Sequence, residues 1–244
     1  MLEGLYSAAA GMAAQQQRLD AVANDLANVN TTGYKKERVG FRDLLYTQAG
    51  RGAGTQVFEG AGAAATNLGR TLEQGSLQNT GRMLDVAISG QGFIRVNHNG
   101  QVALTRDGSL QVNAQGRLMT SSGDYVQPNI TVPAGTSPDD ITIEKNGVVS
   151  VKGTQVGTIQ LVTVPSPEGL TPIGDNLFQP GAASGAIRAA GNGSTLEQGF
   201  LEASNVDMAD AMVDMMNSQR SFQLASKAIS MQDEMAGIAN GVKQ

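Results

Sequence analysis

Proline and glycine are confined almost wholly to the middle of this 244-residue chain. All 7 prolines lie between Pro128 and Pro180, and of the 31 glycines only Gly4, Gly11, Gly33, Gly237 and Gly241 fall outside residues 34–200. Proline removes a helical donor and clashes with the preceding turn, and glycine costs backbone entropy, so both work against long helices. Long helices are therefore allowed only at the two ends, and the middle must be assembled from short elements and tight turns. The expected fold class is α+β: N- and C-terminal helices pairing into a coiled-coil-like core domain, with a central all-β domain, meander or sandwich-like, between them. A chain of this length can bury a core without a partner.

From Leu2 to Val29 apolar or small residues recur at Leu2, Leu5, Ala9, Met12, Leu19, Ala23 and Leu26. This alternating three-and-four spacing, broken only at Gln16, draws one narrow seam along a helix. Asn30, Thr31, Thr32 and Gly33 read as its stop, because glycine reaches the left-handed conformation past a helix end. At the other end Ser204 and Asp207 have the spacing of a capping box, which predicts a helix start near Asn205. Asp207 and Asp210 also suit the positive end of the dipole. One apolar stripe then runs through Met208, Met212, Met215, Phe222, Ile229 and Ala236, and an adjoining one through Leu224, Ala228, Met231, Met235, Ile238 and Val242. Such a face is broad enough for more than one neighbour, and unbranched, polarizable methionine suits non-equivalent neighbours.

Between Met83 and Val164 the period changes to two, with valine, isoleucine and threonine punctuated by turn residues. Phe93–Val96 and Val102–Thr105 flank His98-Asn99-Gly100, and Ile141–Glu144 and Val148–Val151 flank Asn146-Gly147. Both are hairpin patterns in which Asn-Gly supplies positive φ. Residues 47–82 and 181–199 carry no sustained periodicity and read as extended connections. The expected division is an N-terminal core helix over 1–33, an extended connection over 34–82, a central β domain over 83–180, a second connection over 181–203 and a C-terminal core helix over 204–244.

Chemistry is sparse. The single histidine, His98, sits in an expected turn as a solvent-exposed residue, and cysteine is absent, so no histidine or thiolate metal set can form. No G-x-S-x-G, G-x-x-x-x-G-K-[ST] or H-E-x-x-H pattern occurs. Turn formation accounts for Asp107 before Gly108 and for Asp139-Asp140 after Pro138. Dipole complementarity accounts for Asp207, Asp210 and Asp214. The sequence predicts no catalytic residue, no metal site and no cofactor. A charged fraction of 16% with net charge −5 and no basic run speaks against nucleic acid. The apolar runs are too short for membrane insertion. No basic residue precedes Arg18, which argues against a Sec-type signal.

Five ordered segments carry a resemblance. Ala23-Asn24-Asp25-Leu26-Ala27-Asn28-Val29-Asn30-Thr31-Thr32-Gly33-Tyr34-Lys35 resembles the N-terminal signature of flagellar rod and hook proteins, with Asp25 in place of the usual second asparagine. Leu84-Asp85-Val86-Ala87-Ile88-Ser89-Gly90-Gln91-Gly92-Phe93 resembles the family's central motif, and Thr105-Arg106-Asp107-Gly108 the one that follows it. Leu201-Glu202-Ala203-Ser204-Asn205-Val206-Asp207 and Ser218-Gln219-Arg220-Ser221-Phe222 resemble its C-terminal pattern. Phe41–Tyr46, Val126-Gln127-Pro128, Val132-Pro133 and Ile173–Phe178 look most like the distal rod branch, with the proximal rod branch as the alternative.

The resemblance implies a structural, non-enzymatic subunit exported by the flagellar type III apparatus without a cleaved signal peptide. It would polymerise around a central channel in the extracytoplasmic part of the basal body. Its implied partners are further copies of itself, other rod proteins, the hook protein and surrounding ring proteins. Its self-assembly seams would be Leu5, Met12, Leu19 and Leu26 on the first helix, and Met208, Met212, Met215, Phe222, Ile229, Met231 and Met235 on the last. The motif positions carried over are Asn24, Leu26, Asn28, Gly33, Asp85, Gly92, Phe93, Ser204, Asn205, Gln219 and Arg220. Thr47–Thr66 would be either a slack linker or a wedge between neighbouring subunits. The competing reading is a secreted carbohydrate-binding β protein, which would need an aromatic platform; tryptophan is absent and aromatic residues are 4%.

Overall fold

The computed structural model describes residues 2–44, 46–48, 58–60, 62–191 and 193–241. Two long helices lie at the ends, α1 (Leu2–Ala27) and α2 (Met208–Gly241), and the strands between them pair antiparallel. The fold is α+β. No helix among the described residues is long and apolar enough to cross a membrane. Two compact units divide the chain: one takes Met1–Ala27, Glu37–Leu68 and Asp207–Gln244, the other Asn28–Lys36 and Gly69–Val206.

In the first unit α1 and α2 pack together, running in opposite directions: Arg18 of α1 pairs with Asp214 of α2 at 3.1 Å, while Gly4 lies against Gln232. Strands Glu37–Asp43 and Ala63–Arg70 pair beside α1. The Asp25 carboxylate accepts the Glu37 N–H at 3.1 Å, and the Arg18 guanidinium lies over the Phe41 ring at 5.8 Å. Of the stretch Thr47–Thr66, residues 49–57 and 61 lie outside the described residues; Tyr46–Gln48 pairs with Phe58–Gly60.

In the second unit, among the described residues, a nine-stranded antiparallel sheet is centred on the hairpin Phe93–His98/Gln101–Thr105. Asn99 and Gly100 have φ of 50° and 84°, the double positive φ that a two-residue turn requires. The free edge of Phe93–His98 is shared by two strands, Leu161–Thr163 along its first half and Tyr125–Val126 along its second. Alternation along the strands sorts side chains to opposite faces. Ile94, Val96, Ala103 and Leu177 join the main core, to which the three-stranded sheet Ile141–Ile143, Val148–Val151 and Thr154–Thr158 contributes Ile141, Ile143, Val149 and Val151. Phe93, Leu104 and Phe178 face the other way with Val162, Val164 and Leu170, and Phe93 meets Phe178 edge-on at 5.9 Å.

Three local expectations need correction. His98 is half-buried, with Nδ1 2.7 Å from the Asp124 carboxylate; it is the last residue of its strand, paired with Gln101, and only Asn99 and Gly100 make the turn. The last helix starts at Met208, not near Asn205. Its cap is Asp207, whose carboxylate accepts the Ala209 and Asp210 N–H groups at 2.8 and 3.1 Å, while Ser204 Oγ accepts only the Val206 N–H. The first helix ends at Ala27, because Asn28 closes a turn on Thr31 through both backbone and side chain.

Candidate assembly surface

A helix buries the residues that recur every three to four positions on its covered side. On α1 the most covered positions are Ala14, Val22 and Asp25, and the stripe Leu5, Met12, Leu19 and Leu26 lies at their flank, half-buried. On α2 the covered row is Ala211, Met215, Ser218, Phe222, Ala225, Ile229 and Gln232, again at three-and-four spacing. Small residues set the closest approach: a Cβ added to Gly4 would meet the Gln232 side-chain amide at 2.5 Å.

The other apolar residues of α2 do not share that row. Met208, Met212, Val213, Met216, Leu224, Met231, Met235 and Ile238 are exposed, Leu224 at 69% and Ile238 at 68%. At 100° per residue, Val213, Leu224, Met231, Met235 and Ile238 lie on the side of the helix roughly opposite Ala211, Phe222 and Ile229. Thus α2 is apolar on two sides, one of them covered inside the subunit. Near its end a groove of about 410 Å³, lined by Gly4, Ala8, Ala228, Met231, Met235 and Ile238 among others, opens beside that uncovered stripe. Gln219 and Arg220 are exposed on the same helix, and Asn24 is exposed on α1. Leu2, Ala236 and Val242 of the expected stripes fall outside the described side chains.

The remaining motif positions gather within the second unit. Lys35 and Glu202 are fully buried, with Nζ 2.5 Å from Oε1, and Nζ also donates to the Glu73 carbonyl at 2.7 Å. Arg106 Nη1 donates to both oxygens of Glu202 at 3.1 and 3.0 Å, its Nη2 to the Gly90 carbonyl at 2.9 Å, and its guanidinium lies over Phe93 at 5.6 Å. The Gly75 N–H donates to Glu202 Oε1 at 2.9 Å. Burial pushes the Lys35 ammonium below its ordinary range; the hydrogen bond and charge of Glu202 oppose that, and Arg106 adds to it.

Around this cluster the chain after α1 lies beside the chain before α2. The Gly33 N–H donates to the Glu202 carbonyl at 2.8 Å and the Lys36 N–H to Asn205 Oδ1 at 2.8 Å, while Asn205 Nδ2 reaches the Thr71 and Glu73 carbonyls. Gly33, with φ of 69°, packs on the backbone of Arg106 and Asp107. Asp107 accepts from Thr32, Ser109 and Ser121, and buried Asp85 accepts from Thr80 at 2.6 Å. Sequence reading missed that four separately noted motifs meet here. The available signal was the presence of Lys35, Arg106 and Glu202 inside otherwise apolar or turn-forming motifs of a lightly charged chain.

Three family models match: "Flagella basal body rod protein" over residues 5–35, "Flagellar hook protein FlgE/F/G D1 domain" over 87–151 and "Flagellar basal body rod FlgEFG protein C-terminal" over 197–242. Helical termini matched to rod models and a β body matched to a hook-type domain define the class as an axial flagellar protein. The flagellar basal-body rod protein FlgG of Borreliella burgdorferi is 43% identical, with 100% of both chains covered, and that of Caulobacter vibrioides is 40% identical, over 96% of this chain and 97% of the other. The flagellar hook-basal body complex protein FlhP of Bacillus subtilis is 35% identical over 100% of each. The chain belongs to the flagellar basal-body rod protein family, as a structural, non-enzymatic subunit of the distal rod.

Proposed function

We propose that this subunit polymerises through its terminal helices into a rigid hollow shaft that transmits torque and lets exported subunits pass, with copies of itself, other rod proteins and the hook protein as neighbours. The observation that carries this reading is the second apolar side of α2, which a single subunit leaves exposed although it pairs α1 with the first side. Identical subunits joined head to tail propagate a helical assembly when the rotation from one to the next does not close a ring. In this reading α1 and α2 form the coiled-coil-like core, with seams that include Leu5, Met12, Leu19, Leu26, Met231 and Met235. The β region is then meander- or sandwich-like, divided along the boundaries given above. Surrounding ring proteins and an extracytoplasmic position reached without a cleaved signal peptide follow the same reading.

Leu224→Asp tests it. Because Leu224 is exposed in the lone subunit, the substitution should leave circular dichroism and melting of the monomer unchanged. In a dry seam an unpaired carboxylate costs several kcal/mol, so filaments in electron micrographs of concentrated protein should disappear. Filaments of normal number and form would overturn the assignment of this stripe. Phe222→Asp, on the covered row, should by contrast also loosen α1 from α2 in the monomer.

A further inference from the structure

A β body that presents two helices to a polymer must hold the chain where both are rooted, and the cluster at Lys35, Arg106 and Glu202 stands at that place. Lys35 follows α1 by eight residues and Glu202 precedes α2 by six. Their contact spans 167 residues of chain, and that of Arg106 with Glu202 spans 96. The two roots are also paired directly, through Gly33 to Glu202 and Lys36 to Asn205. The cluster is unlike a core packed for stability alone. Two buried cations share one carboxylate, and Arg106 Nε is left without an acceptor. Apolar side chains of similar volume would fill this place without the desolvation cost of three ions. Ions instead make the contact conditional: neither cation is satisfied unless the segment before α2 delivers Glu202.

We propose that Lys35, Arg106 and Glu202 form a charge clasp that joins the root of the first helix to the root of the last, and that assembly depends on this joining. The dependence on assembly rests on the polymer reading above; the joining does not. Glu202 is the keystone, because it alone touches both cations and the Gly75 amide. Lys35 carries the link to the first root, and its loss strands no charge, since the Arg106–Glu202 pair is balanced without it. Asn205 supports the clasp from the side by holding Lys36, Thr71 and Glu73.

Amide hydrogen exchange of the full chain as monomer tests the joining. In Glu202→Gln the amides of Gly33, Lys36 and Gly75 should exchange faster by about tenfold or more, while those of the Phe93–His98 and Gln101–Thr105 hairpin stay within about twofold. Lys35→Met, which removes the link to the first root without stranding a charge, should accelerate Gly33 and Lys36 by less than Glu202→Gln does and leave the hairpin within about twofold. Equal acceleration in the hairpin would show an ordinary piece of core and overturn the clasp, as would unchanged exchange at Gly33, Lys36 and Gly75. Should Glu202→Gln fail to fold, the double variant Lys35→Met/Glu202→Gln serves, since it strands one cation instead of two and should still accelerate Gly33, Lys36 and Gly75 over the hairpin. Filament formation is then scored on the variant whose roots are loosened. Loss or irregularity of filaments supports the assembly role, and normal filaments overturn it. Exchange is read without any polymer, so its outcome is independent of whether the exposed stripe of α2 is the seam.

Discussion

Replacing Gly33 by alanine separates the two demands that glycine meets at this position, provided Gly100→Ala is measured beside it. Both glycines have positive φ, 69° and 84°, and an alanine in that region costs roughly 1–2 kcal/mol. Around Gly100 an added Cβ meets nothing within 4 Å, so the backbone term is the whole effect. At Gly33 the same atom would stand 2.8 Å from the Asp107 nitrogen and 2.9 Å from the Arg106 carbonyl carbon. Those are backbone atoms and cannot rotate aside. The segment after α1 must therefore back away from the residue that grips Glu202, an overpacking strain of about 1–3 kcal/mol more. Gly33→Ala should thus cost about 2–5 kcal/mol against about 1–2 for Gly100→Ala. Urea unfolding followed by tyrosine fluorescence, with Tyr34 and Tyr125 as reporters in the β unit, measures both. With a slope of about 2 kcal/mol per molar, the two midpoints should differ by roughly 0.5–1.5 M. Equal midpoints would mean that the Arg106–Asp107 backbone yields freely and that the close approach does not constrain this site.

Removal of the helix cap is milder. Asp207→Ala should cost about 0.5–2 kcal/mol and speed exchange of the Ala209 and Asp210 amides, leaving the β unit unaffected; a changed β unit would refute a local role. The β unit should gain stability as pH rises from the depressed value of buried Lys35 toward its unfolded value of about 10.5, because in that window the unfolded chain binds the proton and the folded one does not. Lys35→Met should flatten that rise in melts taken from neutral pH to pH 10, and an unchanged slope in the variant would assign it to another group.

Several elements were legible in the sequence because their causes are local. Proline-free ends with three-and-four apolar spacing are helices wherever they are placed, and Asn99-Gly100 turns a hairpin because its own backbone accepts positive φ. The alternation Phe93, Ile94, Val96 sorted itself to two faces for the same reason. Local rules failed where several local solutions competed. Ser204 and Asp207 both could cap α2, and Asp207 does so while Asn205 is drawn away to Lys36, Thr71 and Glu73. Gly33 carried the mark of a helix stop, yet its positive φ serves a close approach to Arg106 well past the end of α1. Which apolar residues of α2 are covered in the subunit is likewise a tertiary matter, since both stripes satisfy the same period and only the position of α1 selects Phe222 over Leu224. The sharpest divide falls at Lys35, Arg106 and Glu202. Sequence placed each in a motif of its own, but pairing across 96 and 167 residues depends on strand order, which no period or turn signal contains. Composition and spacing determined what kinds of element this chain builds; the tertiary packing of the β unit decided which charges meet in its interior, because only there is water excluded and an unpaired ion made costly.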